Sequence, residues 1–158
     1  KEVGTSIYSQ EELIYSLECG VYDWVQIPIN ILDTSFYNLA SNHVSVVKIA
    51  ARSVFLQGII FNYEKARKNI KDHNELFDSL DQLWSLASDF GITIQQLSVA
   101  YLSSLEKISQ IIVGTISDDK LSENMASIKI KLNDSLIASI EKIACKSKSW
   151  SNPRNWKS

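Results

Sequence analysis

"KISQIIVGTISDDKLSENM", residues 107–125, carries a short apolar run, a Gly-Thr turn and a polar segment that opens on two acids. "SQIIVG" is β-branched and short, which predicts a strand, and "SDDKLSENMASI" predicts the helix after it. The stretch is therefore a strand, a tight turn and a helix. Whether Gly114 and Thr115 only turn the chain or also hold a phosphate stays open at this level. Free amides and the helix dipole at such a turn attract an anion, while Asp118 and Asp119 are ordinary first-turn caps that would repel one.

Working outward, the same unit recurs upstream. "EVGTS" reads as a short strand, and "SQEELIYSLE" as a helix capped by Ser9 with Glu12 three residues on. Leu13, Ile14 and Leu17 share one face of that helix, and Cys19-Gly20 closes it. "DWVQIPIN" predicts a second strand with Pro28 near its end, followed by a short helix over about 34–42 with Asp33 or Thr34 as cap. "VSVVKIAARS" is a nearly unbroken apolar run of the kind found in strands covered on both faces. Residues 54–72 form a long connection, a candidate binding or lid segment. Next comes a helix through Leu76, Leu80, Leu83, Trp84 and Ala87 that stops at Gly91, then one in "TIQQLSVAYLSSL" capped by Thr93. After the opening stretch, "NDSLIASIEKIA" is a last helix, and the tail "SWSNPRNW" is turn-rich and aromatic.

Four short apolar strands, each returning through at least one helix, define an α/β chain with a parallel sheet. Periodicity leaves both an open doubly wound sheet and part of a closed barrel standing. The first turn, "GTSIYS", lacks G-x-G-x-x-G, and no segment reads G-x-x-x-x-G-K-[ST], so neither common phosphate-loop fold is supported.

Composition narrows the classes further. A chain of 158 residues suits one domain, residues 1–158, that buries about 68–70% of its unfolded surface. The net charge of −2 offers no basic footprint for nucleic acid, and no apolar run suits a membrane span, so the cytoplasm is the expected location. Cys19 and Cys145 lack C-x-x-C spacing and read as reduced, incidental thiols, and His43 and His73 are too isolated to suggest a metal site. A start at Lys1 that runs almost directly into a strand suggests a piece of a longer protein.

"GTSIYS" at 4–9, "DWVQIPIN" at 23–30, "ARSVFLQG" at 51–58 and "VGTISDDKLSEN" at 113–124 together resemble the strand ends of the aldo-keto reductase family. The resemblance implies a (β/α)8 TIM-type barrel that reduces aldehydes and ketones with NADPH, or with NADH. It covers essentially the whole chain but only the C-terminal half of the barrel, strands five to eight. The family's catalytic Tyr, Lys, Asp and His belong to the first four strands, and none of their motifs is present. Tyr8, Tyr37 and Tyr101 do not replace them, because Tyr8 follows the wrong strand and Tyr101 falls in the middle of a helix.

The resemblance implies a cofactor cradle. Ser6 and Gln26 match residues that face the nicotinamide carboxamide, while Ile7 stands where the family usually has Asn. Arg52 stands where many relatives stack an aromatic ring on the nicotinamide. A planar guanidinium can also stack, or it can pair with an acid. Ser53, Phe55 and Gly58 match the loop over the pyrophosphate. Gly114, Thr115, Lys120, Glu123 and Asn124 match G-[ST]-x-S-x-x-[KRQ]-L-x-E-N, which implies Lys120 at the ribose 2′-phosphate and Glu123 and Asn124 near the adenine. The bland alternatives are a polar residue satisfied inside the barrel for Gln26, an ordinary strand-to-loop turn for residues 53–58, and an acid-capped helix for residues 114–124.

The implied function is the cofactor-binding half of an NAD(P)H-dependent reductase of a small carbonyl substrate. Its exposed strand edges would be covered by an N-terminal half-barrel or by self-association. The alternative is a non-catalytic nucleotide-binding or interaction module on the same scaffold.

Overall fold

The computed structural model describes residues 1–62, 64, 67, 70 and 74–143. The expectations for His73, Cys145 and the aromatic tail with Trp150 and Trp156 lie outside the described residues, as does part of the 54–72 connection. Four strands, β1 (Gly4–Ser6), β2 (Trp24–Pro28), β3 (Lys48–Arg52) and β4 (Ile108–Ile111), pair in the order β1-β2-β3-β4, every pair parallel. The helices are α1 (Gln10–Glu18), α2 (Ser35–Ser41), α3 (Asn74–Asp89), α4 (Ile94–Ser103), α5 (Asp118–Ser127) and α6 (Asp134–Ile143). The α/β alternation expected from hydrophobic patterning is the architecture found.

Local chemistry sets most of the boundaries. The hydroxyl of Ser9 accepts from the Glu12 amide at 3.2 Å while the Glu12 carboxylate accepts from the Ser9 amide at 3.0 Å, a reciprocal cap that starts α1. Thr93 and Gln96 repeat the arrangement at α4. At α2 the cap is made by Asp33, whose carboxylate accepts from the Ser35 amide at 3.1 Å, and Thr34 makes no such bond. Gly4 is required by crowding: a Cβ there would lie 3.0 Å from the Trp24 Cβ on the adjoining strand.

Three expectations need correction. The run "VSVVKIAARS" is longer than its strand, because Val44 and Val46 are exposed in the approach to β3. The last strand ends at Ile111 rather than at Gly114, although the Ile112 amide still donates to the Ala51 carbonyl at 2.8 Å. α5 is capped by Ser117 and not by the two acids, which occupy its first exposed turn.

The strands alternate between a dry face and an open one. Val25, Ile27, Ile49 and Ala51 point into a core built with Leu13, Leu17, Leu80, Leu83 and Leu97 from the helices. Ile7 extends β1 into that core, with its amide on the Gln26 carbonyl at 3.1 Å and its side chain 1% exposed. By the strand register, Ser6, Trp24, Gln26, Lys48, Arg52 and Gln110 belong to the opposite face, and none of them is buried.

The 54–72 connection begins with a 3-10 segment, Leu56–Phe61, that is conformationally unusual. Ser53, Leu56 and Gln57 have φ of 61°, 46° and 53°, and Gly58 follows at 88°. Left-handed non-glycine residues cost about 1–2 kcal/mol each and persist only where the surroundings hold them. Here the holding groups include Leu56 and Ile60, both fully buried, and the Trp84 indole of α3, which donates to the Ile60 carbonyl at 3.0 Å.

Candidate functional site

Parallel α/β sheets bind ligands beyond the carboxyl ends of their strands, where the connecting turns converge. One recess occupies that region here, and a second runs along the open face of the strands from their starts. The smaller, about 350 Å³, lies on the open face and is lined by Ser6, Gln26, Ala50 and Gln110 among others. Ser6 pairs with Gln26 in register across β1 and β2, and its hydroxyl donates to the Gln26 Oε1 at 3.1 Å. This leaves the Gln26 NH2 group as a donor and the Ser6 oxygen as an acceptor, the complement of a planar carboxamide.

The larger cleft, about 810 Å³, lies between the 3-10 segment and the start of α5, with Phe55 and Phe61 on one side and Gly114, Thr115, Lys120 and Asn124 on the other. The two phenyl rings meet edge to face with centroids 5.2 Å apart. Gly58 supports them from behind: its amide donates to the Phe55 carbonyl at 2.8 Å, and a Cβ there would approach the Phe61 ring to 3.4 Å. Gly114 is of a different kind. Its backbone is not left-handed, and a Cβ would meet nothing within 4 Å. The protein itself does not require a glycine at this position, so the room it leaves is available to a ligand backbone.

Not every matched residue faces a recess with a free group. The Thr115 hydroxyl is bonded within its own turn, accepting from the Ser117 amide at 3.2 Å. Lys120 donates to Glu123 Oε2 at 2.8 Å, and Thr93 donates to the other oxygen of Glu123 at 3.3 Å. The Lys120 charge is thus compensated on its own helix, through a solvent-exposed pair that is worth at most about 1 kcal/mol. Arg52, the last residue of β3, lines neither recess. Its guanidinium donates to the Ile7 carbonyl at 2.8 Å and to the Ser53 hydroxyl at 3.2 Å, and lies 4.5 Å from the centre of the Tyr8 ring. The cation therefore stacks on an aromatic ring of this chain.

Three residues of the cleft carry no signal in the sequence pattern: Phe61, Gln95 and Ile116. Gln95 lies in the first turn of α4, and its Nε2 donates to Asn124 Oδ1 at 2.8 Å, with both residues buried. Tyr101, 2% exposed in the core, has its phenol pushed up to about 12, first by burial and then by the charge of Glu141, which makes it a poor proton donor. Among the described residues no group of three or more His, Cys, Asp or Glu could hold a metal ion, and the His43 Nδ1 lies 3.6 Å from Glu18 Oε1. No helix of the described residues is long and apolar enough to cross a membrane.

A four-stranded parallel sheet with a cleft of rings, glycine and a helix start beyond its carboxyl end, and a recess with amide-type groups along its open face, defines an α/β ligand-binding scaffold. The chain belongs to the aldo/keto reductase family, whose model matches residues 1–144. Among solved structures it is similar to the aldo-keto reductase AKR11C1 from Bacillus halodurans in its apo form, with a TM-score of 0.69 at 16% identity over 90% of this chain and 50% of that one. It is also similar to a mutant of Gox0644 in complex with NADPH, with a TM-score of 0.62 at 15% identity over 92% of this chain and 47% of that one. The chain therefore spans about half the length of these structures.

Proposed function

We propose that this chain is the C-terminal half, strands five to eight, of the barrel of an NAD(P)H-dependent aldo-keto reductase, folded as one domain, and that it binds the dinucleotide while a preceding half supplies the catalytic residues. The observation that carries this reading is the cleft beyond the strand ends together with the recess on the open face. Ser6 and Gln26 complement a carboxamide, and the Gly114 cleft with its aromatic wall suits the pyrophosphate and base. When bound, the dinucleotide would supply hydride to an aldehyde or ketone, and the residues of this chain bind and orient it. Ser53, Phe55 and Gly58 then shape the wall over the pyrophosphate, and Arg52 braces the end of β3 against Ile7 and Tyr8. Lys120 is the candidate for the 2′-phosphate of NADPH, a role that requires exchanging Glu123 for the phosphate. Covering the open face with the preceding half-barrel, or with a second copy, follows from the same reading.

The test is titration of the full-length polypeptide with NADPH and NADH, followed by fluorescence quenching and by carbonyl-dependent oxidation of the reduced cofactor. The absence of both signals would sink the proposal. Lys120→Ala should weaken NADPH about tenfold more than NADH, since a charge-assisted contact is worth about 1.5–3 kcal/mol. Equal weakening of both removes Lys120 from that role. A second reading, a nucleotide-binding module without catalysis, is favoured by Arg52 being engaged on Tyr8 and by Ile7 having its side chain in the core. Binding without oxidation would support it.

A further inference from the structure

Phe61 stands on the wall of the larger cleft, at the end of a segment with an unfavourable backbone. Leu56 and Gln57 hold φ of 46° and 53°, so the turn that aims Phe55 and Phe61 needs support from outside. The 3-10 segment ends at Phe61, and carbonyls at such an end take partners from elsewhere. Ile60 is fully buried, and its carbonyl accepts the indole N–H of Trp84 at 3.0 Å. Trp84 belongs to a stripe of α3: Phe77, Asp81 and Trp84 are spaced i, i+4, i+7 and share one face. Further along the connection Arg67 meets the other two, donating to Asp81 Oδ2 at 3.3 Å and lying 5.2 Å from the centre of the Phe77 ring. α3 thus grips the connection at two points, by a neutral bond to a buried carbonyl and by an exposed ion pair. Trp84 itself does not line the cleft.

Resting on the reading that the dinucleotide occupies this cleft, we infer that Trp84 is a positioning residue that sets how long the ligand stays. Its N–H fixes the Ile60 carbonyl, and that bond fixes the Phe61 ring one residue on. With the bond removed, the left-handed torsions have less to hold them, the segment relaxes, and the ring leaves its place opposite Gly114. A wall that shifts weakens contacts made after docking, so the loss falls on release rather than on encounter. The Arg67–Asp81 pair acts in the same sense with less force, because exposed ion pairs are weak and salt screens them.

The experiment follows NADPH binding and release by stopped-flow fluorescence in the full-length polypeptide, with Trp84 replaced by benzothienylalanine, which keeps the shape of indole and puts sulfur in place of the N–H. Release should quicken about threefold to tenfold, the scale of one neutral hydrogen bond, while the association rate changes by less than about twofold. Trp84→Phe should act in the same direction, and it supplies the readout if the protein with the analogue does not fold. In a Phe61→Leu background the Trp84 substitution should add nothing further, since the ring through which it acts is gone. Asp81→Asn should quicken release by less than about twofold, a difference that vanishes at about 1 M salt. Release unchanged by loss of the N–H, in a protein whose melting temperature falls, means a bond that serves stability alone. That result overturns the inference while NADPH binding, and the reading beneath it, stand. Effects of Trp84 and Phe61 that simply add overturn it as well. Failure of NADPH to bind the wild-type protein overturns the underlying reading and this inference with it.

Discussion

The two faces of the sheet are made by the same few residues and obey opposite rules. Along β2, Val25 and Ile27 are fully buried against helices, whereas Trp24 and Gln26, their immediate neighbours, are half-buried on the open face with polar partners. A strand covered on one side by helices gains its stability there, which leaves the other side free to be chosen for chemistry. Here that side holds a hydroxyl, an amide, a guanidinium and an ammonium. The division separates what folds the chain from what the chain binds.

Substitutions one residue apart can break this comparison. Ile27→Ala removes a fully buried side chain and should cost about 2–5 kcal/mol of stability by denaturant unfolding. Arg52→Ala tests whether the open face is purely functional. Its guanidinium braces Ile7 and Tyr8, so a loss of about 1–2 kcal/mol is expected, less than for the core residue but measurable. Gln26→Ala should change stability by less than about 0.5 kcal/mol and lower dinucleotide affinity several-fold, the scale of one hydrogen bond. A stability loss as large as that of Ile27→Ala would erase the distinction between the faces.

The smallest effect concerns pH. Glu2 receives the Lys48 ammonium and the Trp24 indole, both at 2.6 Å, on the open face, and these bonds hold its carboxyl below the usual carboxylate range. A carboxyl held low when folded stabilises the fold above its unfolded value and loses that contribution as pH falls through the folded one. Glu2→Gln should therefore flatten the acid limb of the stability curve slightly and leave neutral pH behaviour nearly unchanged, as read from melting temperatures across the acid range. Unaltered acid behaviour would mean that the Glu2 cluster contributes nothing.

What could be read from the sequence was what is local. The helix starts at Ser9 and Thr93 were legible because capping boxes are written within four residues, and the parallel sheet because apolar runs alternate with helical periods. The run at 44–53 overstated its strand because β-branched residues look alike whether they are buried, like Ile49, or exposed, like Val46. The left-handed torsions at Leu56 and Gln57 were invisible, since neither residue type favours them and burial of their surroundings imposes them. In the candidate site, Phe55, Gly114, Thr115, Lys120 and Asn124 of the matched residues line the larger cleft and Ser6 and Gln26 the smaller recess, whereas Arg52, Ser53, Gly58 and Glu123 line neither. Gln95 was missed because its meaning lies in a partner 29 residues away, where neither periodicity nor spacing points.

The order β1-β2-β3-β4 has a consequence for handling the molecule. Among the described residues, β1 and β4 each have a strand on one side only, so the sheet ends in two rows of backbone donors and acceptors without a strand beside them. In polymer terms such a unit is divalent: two copies that pair at both ends close on each other, whereas pairing at one end leaves an edge for further addition. At high concentration this chain should self-associate through its strand edges, with dilution or a capping strand as the means of holding it as single copies.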